Sequence, residues 1–156
     1  MSSTSTWMTG SRGGMGNSDA RKFKDYYTKQ ELIGRGGFGE ALTVKRHSDG
    51  AIFIMKKEKI LSMERRKRKD EVNALKKCAH DNIVYYIDDF IDEHYSRIIM
   101  EYCEEGDLGN FLRNQRGNLL STEAVLKWAE DLASGMDYLQ WKKIVHRDLV
   151  NHMTFD

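Results

Sequence analysis

The feature that most constrains the fold is a glycine-rich run, IGRGGFG at residues 33–39, that stands between two segments with the composition of strands. The segment before it reads YYTKQELIG and the segment after it reads GEALTVKRH. A dinucleotide-binding fingerprint needs such glycines to open a helix after a strand. Because a strand-like segment follows Gly39 instead, the run is predicted to join two antiparallel strands. It is either an ordinary glycine-rich hairpin or a loop whose backbone N–H groups approach phosphates with no side chain in the way.

The order of the remaining segments predicts an α+β fold. A third strand-like segment, AIFIMKKEKI, follows Ser48-Asp49-Gly50, and Asp-Gly between two strands is a strong hairpin signal. A charged helical stretch at about residues 62–77 comes next, followed by two more strand-like runs, IVYYIDDFI and SRIIMEYC. After Gly106 the pattern is helical. Five strands with one inserted helix, and further helices after them, is an α+β order.

The last predicted helix has one apolar face. Ser121-Thr122-Glu123 supplies capping residues and an early acid that suits the helix dipole. Apolar residues then recur at three- and four-residue steps, as in one face of a helix. They are Val125, Trp128, Leu132, Met136 and Leu139.

Composition separates a tail from a domain. Residues 1–24 are predicted to be disordered, because half of them are Ser, Thr or Gly and they can bury little apolar area. Residues 25–156 form the predicted folded domain. The 25 basic and 24 acidic residues nearly cancel, so bulk charge gives no reason to expect nucleic acid or an anionic membrane as a partner. Two cysteines fit a reducing compartment, and no apolar run approaches the roughly 20 residues that span a bilayer. We therefore expect an intracellular, cytoplasmic protein with no membrane partner.

One basic run, RRKRK at residues 65–69, leaves a nuclear location or a nucleic-acid patch open. The run is followed by Asp70 and Glu71 and lies inside a predicted helix, which favours a solvated helix face. Salt-sensitive binding to DNA or RNA would favour the nucleic-acid interpretation.

The third strand-like segment contains the pair Lys56 and Lys57. Successive strand residues point to opposite faces, so only one of the two can face the glycine-rich run. Glu71, in the charged helical stretch, could reach back to Lys56. The alternatives are a solvated lysine at a strand edge and an acid that makes pairs on the helix surface.

Taken in order, these stretches resemble a eukaryotic protein kinase, and among these they are most similar to the NIMA-related Ser/Thr kinases. The matching stretches are IGRGGFGEAL, SDGAIFIMKK, DEVNALKKCAHDNIV, IIMEYCEEGDL and IVHRDL. The resemblance implies a protein-kinase-like N-lobe, a five-stranded antiparallel sheet plus one helix, followed by the first helices of a truncated helical C-lobe. It also implies a protein serine/threonine kinase that uses ATP and Mg²⁺ and acts on protein substrates.

The resemblance assigns three catalytic residues. Lys56 would contact the α- and β-phosphates of ATP, with Glu71 holding it in place. Asp148 would accept the proton of the substrate hydroxyl. Phosphoryl transfer depends on positioning and charge neutralisation more than on covalent chemistry, which is why these residue types suffice.

The resemblance also assigns a nucleotide-binding set. The glycines of the run would cover the phosphates. Met100 would be the gatekeeper, Glu101 and Cys103 would offer backbone groups to the adenine, and Asp107 would lie near the ribose. The full set is Ile33, Gly34, Arg35, Gly36, Gly37, Phe38, Gly39, Ala41, Ile54, Lys56, Met100, Glu101, Cys103 and Asp107.

Two positions in the adenine slot depart from the family pattern. The family pattern has a small apolar residue two positions after the last glycine of the run and an alanine two positions before the lysine. This chain has Ala41 and Ile54 at these positions, which is roughly an exchange of bulk across the slot. Because volume-conserving swaps are tolerated best, we expect the nucleotide still to fit.

The larger departure follows Leu149. The family pattern there has a Lys that helps the transferred phosphate and an Asn that binds a second magnesium ion, whereas this chain has Val150-Asn151-His152-Met153. No D-F-G segment follows, so the chain offers no candidate metal ligand. We expect a kinase fragment that is inactive alone, with a non-catalytic module that binds nucleotide or a partner as the alternative. A protein partner that covers the apolar face of the last helix is a further expectation, because exposed apolar stripes mark interaction sites.

Overall fold

The computed structural model describes residues 22–37, 39–61, 65–91, 94–115 and 119–146. The chain forms five strands and four helices within these ranges, in the predicted α+β order. They are α1 (Phe23–Tyr26), β1 (Tyr27–Gly36), β2 (Gly39–Arg46), β3 (Ile52–Lys59), α2 (Arg65–Leu75), β4 (Tyr86–Ile91), β5 (Tyr95–Met100), α3 (Leu108–Asn114) and α4 (Thr122–Trp141).

The strands form one antiparallel sheet in the order β1-β2-β3-β5-β4. The predicted Asp-Gly hairpin between β2 and β3 is confirmed. Gly50 adopts a positive φ of 75°, and its N–H donates to the carbonyl of Arg46 at 2.9 Å. The carboxylate of Asp49 accepts from the guanidinium of Arg46 and from the backbone N–H of Ala51, which closes the turn.

One face of the sheet builds the hydrophobic core. The buried side chains there come from all five strands and pack with partly buried neighbours: Tyr27, Val44, Met55, Phe90 and Ile99, with Phe23, Leu42, Phe53 and Ile87. Because residues two apart share a face, Val44 and Leu42 of β2 both point to this side. The opposite face carries Lys56 and Glu58 together with apolar residues such as Ile54 and the buried Ile98.

A short helix that sequence reasoning missed leads into the sheet. The composition places Phe23 and Lys24 in the predicted tail, but the structure places them in α1. The ring of Phe23 stacks on Tyr27 and meets Phe90 edge-on, both at a centroid distance of 5.8 Å. Residues 1–21 of the predicted tail lie outside the described residues.

The long helix α4 docks against the loop that follows α2. The Tyr138 hydroxyl accepts from the Ala79 N–H at 3.0 Å and donates to the Lys77 carbonyl at 3.2 Å. A Cβ at Gly135 would lie 3.0 Å from the carbonyl oxygen of Asn82, so the small residue permits this close approach. Ser121 caps α4 through a hydrogen bond from the Ala124 N–H, as predicted.

The predicted apolar stripe on α4 is buried only in part. Leu139 is 6% exposed, whereas Val125 is 47% exposed and Leu132 is 44% exposed. Trp128 meets Phe111 of α3 edge-on at 5.4 Å. The amino-terminal half of α4 therefore presents apolar side chains to solvent, as the sequence predicts.

Among the described residues, the structure contains no helix that is both long and apolar enough to cross a membrane.

Candidate nucleotide site

The strand register brings the glycine-rich run and one lysine into a single row. Gly34 pairs with Ala41 across β1 and β2, and Ala41 pairs with Lys56 across β2 and β3. Residues that pair directly across neighbouring strands point to the same face, with strands about 4.8 Å apart. Lys56 therefore faces the same side of the sheet as the start of the glycine-rich run.

Lys57 belongs to the opposite face. Its ammonium donates to the Glu40 carboxylate at 3.0 Å, and Arg35 contacts the other oxygen of that carboxylate at 3.2 Å. The hydrogen bond from Lys57 is the main cause of a Glu40 pKa below its ordinary value. Of the two candidate lysines, only Lys56 can act at the glycine-rich face.

The glycines of the run differ in what requires them. Among the described residues, and apart from its chain neighbours, a Cβ at Gly34, Gly36 or Gly37 would meet no heavy atom within 4 Å, so there is open space beside these positions. At Gly39, by contrast, φ is +126° and a Cβ would lie 2.2 Å from the carbonyl oxygen of Lys57. Gly39 is thus required by the fold, whereas the other three leave room for a ligand to approach the backbone. Phe38 lies outside the described residues.

The ammonium of Lys56 is held by a carboxylate that sequence reasoning did not single out. Lys56 Nζ lies 2.8 Å from Oε1 of Glu58, and the Lys56 side chain is 40% exposed. Glu58 is buried, and its other oxygen contacts Arg68 Nη1 of α2 at 2.5 Å. Strand alternation could have indicated Glu58, since residues 56 and 58 share a face. The backbone of Glu71 lies in α2, but its side chain is outside the described part, so the Lys56–Glu71 pair stays a prediction.

The predicted adenine slot lies further along the same face. Ile54 pairs with Met100 across β3 and β5, and Thr43 is the partner of Ile54 on β2. Ala41 is therefore diagonal to Ile54, two residues along β2, where long side chains still touch. Bulk lost at Ala41 can be replaced by Ile54 because the two line one surface.

The segment after β5 supplies backbone groups. The Glu101 N–H donates to the Tyr85 carbonyl at 3.1 Å, so a backbone contact from Glu101 to a base falls to its carbonyl oxygen. The Cys103 carbonyl accepts from the Gly106 N–H at 3.2 Å, in a turn where Gly106 has a φ of +78°. The adenine roles of Glu101 and Cys103 stay predictions.

Asp107 is the N-cap of α3. Its Oδ1 accepts from the Asn110 N–H at 2.7 Å and its Oδ2 accepts from the Asn110 side chain at 2.5 Å. Both oxygens are thus engaged locally, and a contact with a ribose would have to share them. An aspartate directly before a helical stretch is a capping signal that the sequence already carries.

The catalytic aspartate of the sequence prediction, Asp148, lies outside the described residues. Within the described part of the chain, no three His, Cys, Asp or Glu side chains are grouped so that they could hold a metal ion.

A cavity of about 440 Å³ lies elsewhere, between α1, the β2–β3 turn and β4. Tyr26, His47 and Asp88 are among its lining residues, and none of the lining residues belongs to the predicted nucleotide-binding set. The His47 ring already bonds to the Asp25 carbonyl at 3.2 Å and to the Thr28 hydroxyl at 2.8 Å. The cavity is separate from the row of Gly34, Ala41 and Lys56.

Comparison with known proteins adds independent evidence. A family model described as the protein kinase domain matches residues 27–152. The chain is 34% identical to serine/threonine-protein kinase Nek3 of Mus musculus over 84% of this chain and 26% of that protein. It is 36% identical to serine/threonine-protein kinase Nek5 of Homo sapiens over 80% of this chain and 18% of that protein. A probable serine/threonine-protein kinase, nek3 of Dictyostelium discoideum, is 34% identical over 84% of this chain and 12% of its own length. The chain thus spans about a quarter or less of these relatives.

Proposed function

The chain belongs to the protein kinase domain family, and from this premise we propose that it binds ATP under the glycine-rich run and serves a protein serine/threonine kinase. The reaction would transfer the γ-phosphate of ATP to Ser or Thr hydroxyls of protein substrates. The similarity to NIMA-related Ser/Thr kinases supports the choice of hydroxyl.

The observation that carries this proposal is the row of Gly34, Ala41 and Lys56 across three strands. It places a half-exposed ammonium on the same face as backbone that has open space beside its glycines. Backbone N–H groups and an ammonium are the donors that polyphosphates need. The described residues therefore fit the triphosphate of ATP.

The remaining roles follow from the same face. Ala41, Ile54 and Met100 would form an apolar surface for the adenine, while the segment at 101–103 would contribute backbone groups. Mg²⁺ would arrive with the nucleotide, since it is commonly bound through one or two carboxylates plus substrate phosphates. Asp148 would act as the proton acceptor, a role assigned by resemblance.

A non-catalytic module that binds nucleotide or a partner kinase is the second candidate. The sequence favours it at residues 150–153, Val-Asn-His-Met, where the resemblance implies a lysine and an asparagine with roles in transfer. The exposed side chains of Val125, Leu126 and Leu132 on α4 support the expectation of a protein partner.

A binding and transfer experiment tests the proposal. Labelled ATP with magnesium is titrated into the full chain, and transfer to a generic Ser/Thr protein substrate is followed in parallel. We expect Lys56→Met to abolish nucleotide binding, because the phosphates lose their cation. Lys57→Met is the matched control, since it removes a neighbouring lysine on the opposite face, and it should bind ATP as the wild type does.

The outcomes separate the candidates. Phosphate transfer that requires Lys56 supports the kinase, whereas Lys56-dependent binding without transfer supports the module. Equal ATP binding by the wild type and by Lys56→Met would show that the site is not the one described.

A further inference from the structure

A buried carboxylate, Glu58, is shared between the lysine of the proposed site and helix α2. Glu58 is 4% exposed and follows Lys56 on the same face of β3. Its Oε1 lies 2.8 Å from Lys56 Nζ, and its Oε2 lies 2.5 Å from Arg68 Nη1. One anion thus holds a strand lysine and a helix arginine.

Glu58 also lies beside the end of the glycine-rich run. A Cβ built on Gly39 would be 3.1 Å from Cγ of Glu58. A phosphate under this run and the carboxylate of Glu58 would therefore be two anions within reach of the same ammonium. Since like charges repel and Lys56 cannot approach both equally, the two anions compete.

The contact between Lys56 and Glu58 can be released. Although Lys56 Nζ is 2.8 Å away, Oε1 of Glu58 has no aligned hydrogen bond within the described part of the chain. The contact is therefore a charge contact without the direction of a hydrogen bond. Lys56 is also more exposed than Arg68, at 40% against 23% of the side chain, so water can solvate it as it turns.

The buried carboxylate keeps a charged partner when Lys56 leaves. Arg68 remains on Oε2, so Glu58 does not become an uncompensated buried charge. Ser96 stands directly opposite Glu58 in the pairing of β3 with β5. Its buried hydroxyl makes no hydrogen bond among the described residues.

We propose, on the basis of the proposed nucleotide site, that Glu58 is an internal counter-ion that competes with phosphate for Lys56, and that Arg68 sets the strength of this competition. Neutralising Glu58 frees Lys56 and tightens phosphate binding. When the charge of Arg68 is removed, Lys56 is the charged contact of Glu58 that remains among these three residues. Glu58 then holds Lys56 more strongly, and phosphate binding weakens. A movement of α2 that separates Arg68 from Glu58 would weaken it in the same way.

The test measures the Kd of the full chain for magnesium-ATP and for inorganic tripolyphosphate at constant ionic strength. Glu58→Gln keeps the shape of the side chain, and we expect it to tighten binding roughly three- to fivefold, the range of a partly exposed ion pair. Arg68→Gln should weaken binding by a similar factor, and in the Glu58→Gln background this effect should disappear. Asp131→Asn is the control, because it removes an ion-paired carboxylate of α4, 2.7 Å from Lys127, and should leave Kd unchanged.

The two variants have opposite expected signs, so loss of folding cannot imitate the result. Unchanged or weaker binding in Glu58→Gln, or an Arg68→Gln effect that persists in the double variant, overturns the counter-ion role. If this happens while binding still requires Lys56, the proposed nucleotide site stands and only the counter-ion role fails. If no variant binds either ligand, or if Lys56→Met still binds, the nucleotide site itself is overturned, and the counter-ion role is overturned with it.

Discussion

The two kinds of glycine in the run at residues 33–39 can be separated by experiment. The change is one methyl group, added either as Gly39→Ala or as Gly36→Ala. At Gly39 the new Cβ would lie 2.2 Å from the backbone oxygen of Lys57, with φ at +126°. Because the clash is with backbone, the strands themselves must shift. At Gly36 the Cβ meets no heavy atom within 4 Å in the part of the chain that the structure describes, its chain neighbours apart.

The expected magnitudes follow from these contacts. A non-glycine residue in a sparsely populated backbone region costs about 1–3 kcal/mol. Overpacking at a rigid contact adds about 1–3 kcal/mol. Gly39→Ala should therefore lower the free energy of unfolding by about 2–6 kcal/mol, a large part of the about 5–15 kcal/mol of a typical domain. Gly36→Ala should leave stability unchanged or raise it by up to about 1 kcal/mol, because alanine restricts the unfolded chain.

Urea unfolding, followed by circular dichroism, measures both variants against the wild type, and ATP titration of the folded variants supplies the second readout. We expect Gly36→Ala to weaken ATP binding, since its methyl group occupies the space through which phosphates approach the backbone. Equal stability losses in Gly36→Ala and Gly39→Ala would refute the distinction. So would a Gly39→Ala variant as stable as the wild type.

Two further predictions concern stability alone. The hydrogen bond from Arg46 lowers the pKa of Asp49 from 3.8 to about 2, so this stabilisation is fully present above pH 3.8 and is lost as the pH falls through about 2. The melting temperature of Asp49→Asn should accordingly lie below that of the wild type at pH 7 and equal it near pH 2. A difference in melting temperature that does not depend on pH would contradict a stabilisation that comes from the Asp49 carboxylate. Tyr138→Phe removes a hydroxyl that bonds to Ala79 and Lys77, and it should cost about 0.5–1.5 kcal/mol in urea unfolding. A wild-type midpoint in that variant would show that the docking of α4 does not depend on the hydroxyl.

The order of elements could be predicted because it depends on local signals. Alternation and the Asp-Gly pair indicate β2 and β3, and the Ser121 cap with its apolar stripe indicates α4. Helix α1 could not be predicted in the same way, since four residues are too few for a periodic pattern. Phe23 is held by its contacts with Tyr27 and Phe90, and Phe90 lies far along the chain.

The sequence predicts the residues of the candidate site, but it does not predict which face of the sheet each lysine occupies. Alternation separates Lys56 from Lys57 but does not say which one meets the glycine-rich run. The register decides this, through the pairs Gly34 with Ala41 and Ala41 with Lys56. Glu58 shares a face with Lys56 by the same alternation, yet its contact with Arg68 of α2, ten positions later, is tertiary. The sequence pattern therefore does not predict how α2 packs on the sheet.

The two faces of the sheet also explain how the chain can keep charged groups at its centre. The apolar face, with Met55 and Ile99 fully buried, provides the packing that holds the strands together. The other face carries Lys56, whose side chain is 40% exposed, and the buried Glu58, whose desolvation is offset by its contacts with Lys56 and Arg68. Replacing a whole buried ion pair with apolar groups is often neutral or stabilising, whereas removing one partner destabilises the fold because the other charge is left without its partner. Arg68 and Lys56 keep 23% and 40% of their side chains exposed, so water can solvate both when Glu58 is neutralised. Glu58→Gln should therefore alter phosphate affinity and lower stability by less than Met55→Ala on the apolar face, which should cost about 2–5 kcal/mol. If Glu58→Gln were as destabilising as Met55→Ala, the face with Lys56 and Glu58 would be needed for folding as much as the apolar face, and the distinction between the two faces would be wrong.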